Sequence, residues 1–349
     1  MTIGFGMLGS GFMGRTWSEV AHRYVPGGRL AAVAGGRRAP ALAADYGVPL
    51  EPDLESLLAR SDVDAVVLAS PPAGHEPQTL AAARHGKHVF IEKPMAQNVA
   101  ECRRMVEACD RAGVRLGLVS QHRFRASDMA AKKLIDEGAV GRVTMVRCLG
   151  LEVGWWDTEK TQDQWKLDPA QQTAYAGWAA HGCDMLRWFI GSEAVLAFAQ
   201  FAHYRNDPPP DRSAMVTYRF AGDALCEIWM SYDIPAPGLG SAMQLLIVGT
   251  EGMIDYDSYG AVRLGRGGGW ETVFAQGPFD PTDPTDPKRL EAYARHLNDF
   301  ADAVREGRDP SVSGQDGVRI VGMLDAAELS AKTNRSVVID PATSAIGFA

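Results

Sequence analysis

Lys93 stands between Glu92 and Pro94, directly after the apolar run 88–91. A lysine amine is a proton carrier whose charged form is disfavoured when water is withdrawn. Held at a ligand crevice and partly shielded, it would exchange a proton with a substrate hydroxyl. Pro94 has no backbone N–H and stops strand pairing, which fixes the lysine at a strand end. The alternative is an ordinary solvated surface lysine. A second constellation, Gly9-Ser10-Gly11-Phe12-Met13-Gly14, follows the apolar run 3–8. Its first glycine permits a tight turn, its second lets backbone approach a pyrophosphate, and its third lets a helix pack close to its strand. The phosphates would then lie at a helix N-terminus, where free N–H groups and the helix dipole favour an anion. Phe12 and Met13 fall within that turn and are expected at the cofactor.

After the second apolar run the chain reads Ala34-Gly35-Gly36-Arg37-Arg38, without the carboxylate that usually holds the adenosine ribose of NAD. Gly36, Arg37 and Arg38 could instead receive a ribose 2′-phosphate, which leans toward NADP over NAD. Equally, the two arginines could be solvated residues opening the next helix. Ser70-Pro71-Pro72-Ala73-Gly74-His75 is a stiff loop where open α/β sheets bind ligands. Ser70, Pro71 and His75 are expected to wall the cofactor, with His75 starting a helix or packing rather than acting as a catalyst. Glu92 and Lys93 would complete that wall.

These residues need a parallel sheet to carry them. Strand-like runs at 3–8, 30–34, 65–69, 88–91 and 115–119 alternate with helical periodicity, the pattern of a sheet covered on both faces. Asn98 is a suitable N-cap for a helix whose apolar positions include Val99, Cys102, Met105, Val106 and Cys109. From about residue 121 the texture changes to a short helix at 128–137 and strand runs at 143–151, 195–204, 214–220, 225–231, 243–249 and 253–256. Short turns such as 221–223 suit antiparallel pairing. The fold class is therefore α/β: a Rossmann-like, doubly wound parallel sheet at 1–121, then an α+β domain at 122–349 with a large, mostly antiparallel open sheet. Helices near 288–305 and 318–332 close the chain, and the last is free to pack back on the first domain.

Composition narrows the partners. The 349 residues are 46% hydrophobic, enough for two cores. With 35 basic against 43 acidic side chains, and a net charge of -8, nucleic acid is not an expected partner. No apolar stretch reaches the roughly 20 residues of a membrane span, and no signal peptide is evident, so a cytoplasmic location is expected. Five cysteines without a C-x-x-C pair argue against a disulfide framework or zinc ribbon.

Together the glycine turn, the Pro71-Pro72 loop with His75, and Gly86-Lys87-His88 running into Glu92-Lys93-Pro94 resemble the Gfo/Idh/MocA family. The stretch His181-Gly182-Cys183-Asp184 to Trp188 and Gly191, and the tail 326–337, extend the resemblance over nearly the whole chain. It implies a nicotinamide-dependent oxidoreductase acting on a sugar, cyclitol or related polyol, with a homodimer or homotetramer built through the second domain's sheet. By the same resemblance Lys93 is the active-site lysine and His181 the active-site histidine. The Asp that often lies four residues before that histidine is here Gly177, followed by Trp178. Asp184, three residues after His181, could support the histidine or serve as a buried structural group. No metal is expected, because His181 and Asp184 have no third ligand nearby in sequence.

The connection 152–176 is long and aromatic, and indole faces suit the C–H faces of sugar rings. Trp155, Trp156, Trp165 and Lys166, with Trp178, His181 and Lys93, are the expected substrate contacts. The tryptophans could instead pack beneath the loop or at a subunit contact. Two other functions share this pattern by resemblance: redox-assisted glycoside cleavage with a retained cofactor, and non-catalytic cofactor sensing.

Overall fold

The structure, a computed structural model, describes residues 2–153, 168, 170–204, 211–239 and 242–349. It divides into two compact units, Met1–Phe124 with Phe279–Val318, and Arg125–Pro278 with Arg319–Ala349.

In the first unit, strand β1 (Ile3–Leu8) is buried at every position, as a parallel strand covered on both faces should be. It leads into helix α1 (Phe12–Arg23), and β2 (Gly28–Ala34), α2 (Ala39–Tyr46), β3 (Leu50–Glu51) and α3 (Leu54–Ala59) follow. Next come β4 (Ala65–Leu68), α4 (His75–Arg84), β5 (His88–Ile91), α5 (Val99–Ala112) and β6 (Leu116–Leu118). The strands pair in parallel in the order β3-β2-β1-β4-β5-β6. Chain direction across the sheet therefore reverses between β1 and β4, which opens a crevice at their carboxyl ends. Asn98 caps α5 by accepting from the Glu101 N–H at 3.0 Å.

The first core centres on Trp17, fully buried, with edge contacts to Phe90 at 5.0 Å and Tyr293 at 5.1 Å between ring centroids.

The second unit begins with α6 (Ala126–Asp136), β7 (Val143–Val153), α7 (Ala174–Ile190), β8 (Ala194–Ala202), β9 (Ser213–Phe220) and β10 (Leu225–Ile234). It continues through β11 (Gln244–Gly249), β12 (Met253–Asp257), β13 (Ala261–Arg266) and β14 (Gly269–Ala275). Tyr293 lies on α8 (Pro287–Glu306), which belongs to the first unit and packs Leu290, Leu297 and Phe300 into its core. Helix α9 (Gly314–Thr333) and the short strands β15 (Val337–Ile339) and β16 (Ile346–Phe348) end the chain.

Ten strands form one sheet, ordered β14-β13-β12-β11-β7-β10-β9-β8-β15-β16. Among the described residues every pairing is antiparallel except β7 with β10. Helix α7 lies against β7 and β10, and strict alternation along β9 puts Ala214, Val216, Tyr218 and Phe220 inward while Met215, Thr217 and Arg219 face out. Buried Asp128 of α6 accepts from the Tyr256 hydroxyl at 2.9 Å and the Ser258 hydroxyl at 2.6 Å, which ties this helix to the sheet. Among the described residues no helix is long and apolar enough to cross a membrane.

Candidate functional site

In the first unit the glycine turn is built by three different constraints. Gly9 has φ +113°, and a Cβ there would stand 2.5 Å from the Ala69 carbonyl oxygen, so β1 and β4 meet only because the side chain is missing. A Cβ at Gly14 would collide with the Gly9 carbonyl, so the helix can lie close against the turn that feeds it. Gly11, the N-cap of α1, is different. A Cβ there would meet nothing within 4 Å except the Arg38 guanidinium, at 3.8 Å. Gly11 also offers no side-chain cap to the first N–H groups of α1. Open space and free donors fit the diphosphate of a dinucleotide.

The loop after β2 borders the same space. Gly36 has φ +87°, and a Cβ there would overlap the Ser10 hydroxyl oxygen, which accepts from the Arg38 N–H at 3.2 Å. The second-strand loop is thereby fastened to the glycine turn. Arg37 and Arg38 are both exposed.

After β4, the Ser70 hydroxyl donates to the Gln78 side-chain oxygen at 2.6 Å, and Pro71 precedes a 3-10 turn over Pro72–Gly74. His75 is fully buried. Its Nδ1 lies 3.1 Å from the Pro94 carbonyl and 3.2 Å from the Met95 carbonyl, while Nε2 lies 2.9 Å from the Ser70 carbonyl. Burial pushes its pKa down, although the three carbonyls pull the other way. This ring stitches the loop after β4 to the segment after β5, and is placed as a packing residue.

Glu92 is 7% exposed. Its Oε1 accepts from the Trp17 indole N–H at 2.8 Å and its Oε2 from the Lys93 backbone N–H at 3.1 Å. Burial pushes the carboxyl up, opposed by the Lys93 charge and then the indole bond. One side chain thus holds the cofactor helix α1 and the backbone of Lys93 together. Half-buried Lys93 follows at the carboxyl end of β5, and its peptide to Pro94 is cis.

A further residue lacks any local motif in the sequence. Arg289, 4% exposed on α8, donates to the Thr16 hydroxyl at 3.0 Å, the Tyr293 hydroxyl at 3.1 Å and the Pro284 carbonyl at 3.4 Å. Its guanidinium also lies 3.9 Å from the Met13 sulfur and 4.7 Å from the Phe12 ring centroid. The available signal is an arginine on the apolar face of a helix, in register with Tyr293 and His296.

In the second unit His181 is half-buried on α7, between the buried stretches 174–180 and 182–186. A Cβ at Gly177 would lie 2.8 Å from the Gln172 side-chain nitrogen, so a carboxamide covers the helix one turn before His181. Asp184 is 1% exposed and 3.9 Å from Arg187, which itself donates to Glu193 at 2.7 Å. Trp178 is 4% exposed and covers Gly150 of β7 so closely that a Cβ there would overlap the indole, which makes the ring part of the packing. Trp155, Trp156, Trp165 and Lys166 lie outside the described residues. Among the described residues, no three His, Cys, Asp or Glu side chains gather as a metal set. The five cysteines are buried and free, and burial pushes the Cys109 thiol up to about 12.

Comparison with known proteins agrees with this architecture. Residues 3–120 match the "Oxidoreductase family, NAD-binding Rossmann fold" and residues 132–339 its "C-terminal alpha/beta domain". Inositol 2-dehydrogenase 2 of Saccharopolyspora erythraea is 34% identical over 219 residues, covering 60% of each chain. The chain therefore spans under two thirds of that relative. Inositol 2-dehydrogenase of Streptomyces avermitilis is 28% identical over 352 residues, covering 97% of this chain and 94% of its own. An oxidoreductase domain protein from Kribbella flavida shares the fold with a TM-score of 0.85 at 24% identity, covering 97% of this chain and 100% of its own. With both halves matched in order, the chain belongs to the Gfo/Idh/MocA oxidoreductase family.

Proposed function

We propose that the chain is a nicotinamide-dependent dehydrogenase that moves a hydride between a secondary alcohol of a polyol, cyclitol or sugar and the cofactor. The observation that carries this reading is Lys93, fixed by Glu92 at the carboxyl end of β5 in the sheet whose glycine turn fits a dinucleotide. Relatives named as inositol 2-dehydrogenases support the substrate class. When bound, the nicotinamide supplies the hydride acceptor or donor. Lys93 in its neutral form takes the hydroxyl proton during oxidation and returns it during reduction. The family resemblance supports His181 as a residue that hydrogen-bonds a substrate hydroxyl. Gly9, Gly11 and Gly14 give the diphosphate a close approach to backbone.

The missing carboxylate after β2 and the Arg38 guanidinium beside Gly11 favour NADP as cofactor, with NAD accepted. The outward face of the ten-stranded sheet supports a homodimer or homotetramer. It exposes Met145, Met215, Leu225 and Trp229, and register places Met215 and Trp229 opposite each other. Light scattering on the purified chain would read the assembly, and a monomer at micromolar concentration would refute it.

A panel of cyclitols, polyols and sugars, run with NAD and NADP in parallel, tests the main reading through absorbance of the reduced cofactor. Alcohol-dependent reduction is expected. Sugar release without net reduction would replace the dehydrogenase by redox-assisted glycoside cleavage, and cofactor binding with no turnover would favour a sensor.

A further inference from the structure

Arg289 poses a physical problem. A guanidinium withdrawn from water is expensive unless a carboxylate or other anion compensates it. Here the partners are a hydroxyl of Thr16, a hydroxyl of Tyr293, a backbone carbonyl and a thioether, with the faces of Phe12 and Tyr293 at 4.7 and 4.4 Å. All are neutral. Among the described residues no carboxylate forms an ion pair with it. Two carboxylates feel its charge, Glu92, which also accepts from Trp17 and Lys93, and Asp283, but neither reaches the guanidinium as an ion pair.

The contacts of Arg289 are not scattered. Phe12, Met13 and Thr16 are the first turn of α1 and the residue that follows it, and Phe12 and Met13 lie inside the glycine turn itself. The guanidinium therefore sits against the first turn of α1, whose N–H groups have no side-chain cap. A merely structural group at this place would be better as a methionine, which fills similar volume without desolvating a charge. Keeping the cation makes sense where a negative charge arrives nearby.

We propose that Arg289 is a positioning residue for the cofactor diphosphate, bracing the first turn of α1 and lending its buried charge to the anion held there. The proposal rests on the cofactor reading above. It assigns a role in the dinucleotide unit to a segment, Phe279–Val318, that follows nearly all of the second unit in sequence.

The test uses the full chain and three ligands: NADH, ADP-ribose and adenosine, the last without the diphosphate. Arg289→Met is expected to weaken NADH and ADP-ribose by about tenfold, to leave adenosine within twofold, and to hold or raise Tm. Arg289→Lys, which keeps the charge but not the fork, is expected to retain most of the ADP-ribose affinity. Equal weakening of all three ligands by Arg289→Met, or loss of affinity that follows loss of Tm, would overturn the proposal and leave a packing role. If Arg289→Met does not fold, a Lys variant that folds but loses ADP-ribose binding would overturn it as well. Failure of the unmutated chain to bind NADH would overturn it together with the cofactor reading, whereas the other adverse results overturn it alone.

Discussion

Replacing Glu92 by Gln changes almost no volume but removes an acceptor. Both carboxylate oxygens are in use, one on the Trp17 indole at 2.8 Å and one on the Lys93 N–H at 3.1 Å. A carboxamide has a single acceptor oxygen and an NH2 that donates, so one of those N–H groups must face another donor. A hydrogen bond to a buried charged group is worth about 1.5–3 kcal/mol. Expressed wholly in the placement of Lys93, that is about 10- to 150-fold in kcat/KM. A second effect concerns charge. Burial first, against the pull of Lys93, pushes the Glu92 carboxyl up. Stability should not follow activity. A carboxyl raised in the fold weakens the native state as pH climbs from its ordinary value through the raised one, and a neutral amide escapes that loss. The assay is the initial rate of cofactor reduction across roughly pH 6 to 10 with the best polyol, beside thermal scans. A kcat/KM within twofold of the unmutated protein would refute the reasoning.

Three other perturbations separate roles within the same unit. Gly11→Ala should fold, shifting Tm by only a few degrees as an N-cap change of at most about 1 kcal/mol, yet lose NADH affinity because the methyl enters the open space beside Arg38. Gly14→Ala should destabilise the fold by about 1–3 kcal/mol or more, so paired calorimetry and titration showing identical behaviour for the two variants would contradict the assigned roles. Arg38→Ala should weaken NADPH by about tenfold while changing NADH less than threefold, and equal losses in a fluorescence titration would remove the 2′-phosphate argument. His296 is buried and stacked on Phe124 at 4.3 Å, its Nδ1 has no hydrogen-bond partner, and burial holds its pKa near about 3. The unfolded chain binds that proton below about 6.5, so the stability His296 contributes is complete above that value and is lost as pH falls toward about 3. His296→Phe should flatten this part of the Tm against pH curve, and an unchanged slope would count against it.

What could be read in the sequence followed from local rules. The runs 3–8 and 88–91 coincide with β1 and β5 because fully buried parallel strands write themselves as unbroken apolar stretches. Asn98 marked a helix start because its chemistry acts only three residues away. Strand β14 escaped because nearly all of its residues are exposed, leaving no alternation to detect, and β3 is two residues long. The position of Lys93 at a strand end was legible. Its tether was not, since Trp17 and Glu92 meet across 75 residues of chain. Nor could an aromatic count reveal that Trp178 fills the gap above Gly150, because the informative atom is one that glycine lacks.

The parallel seam between β7 and β10 has a consequence for how the chain reaches its native state. Strand β7 emerges early, yet its two neighbours are β10 and β11, with Val146 opposite Cys226 on one side and Ile247 on the other. Hairpins β9–β10 and β11–β12 can close locally within microseconds, but neither finds its place until β7 is threaded between them. Such long-range pairing slows folding and leaves an apolar strand waiting with both edges open. Refolding of this chain should therefore be limited by insertion of β7, and yield should fall with protein concentration before any loss of native stability is seen.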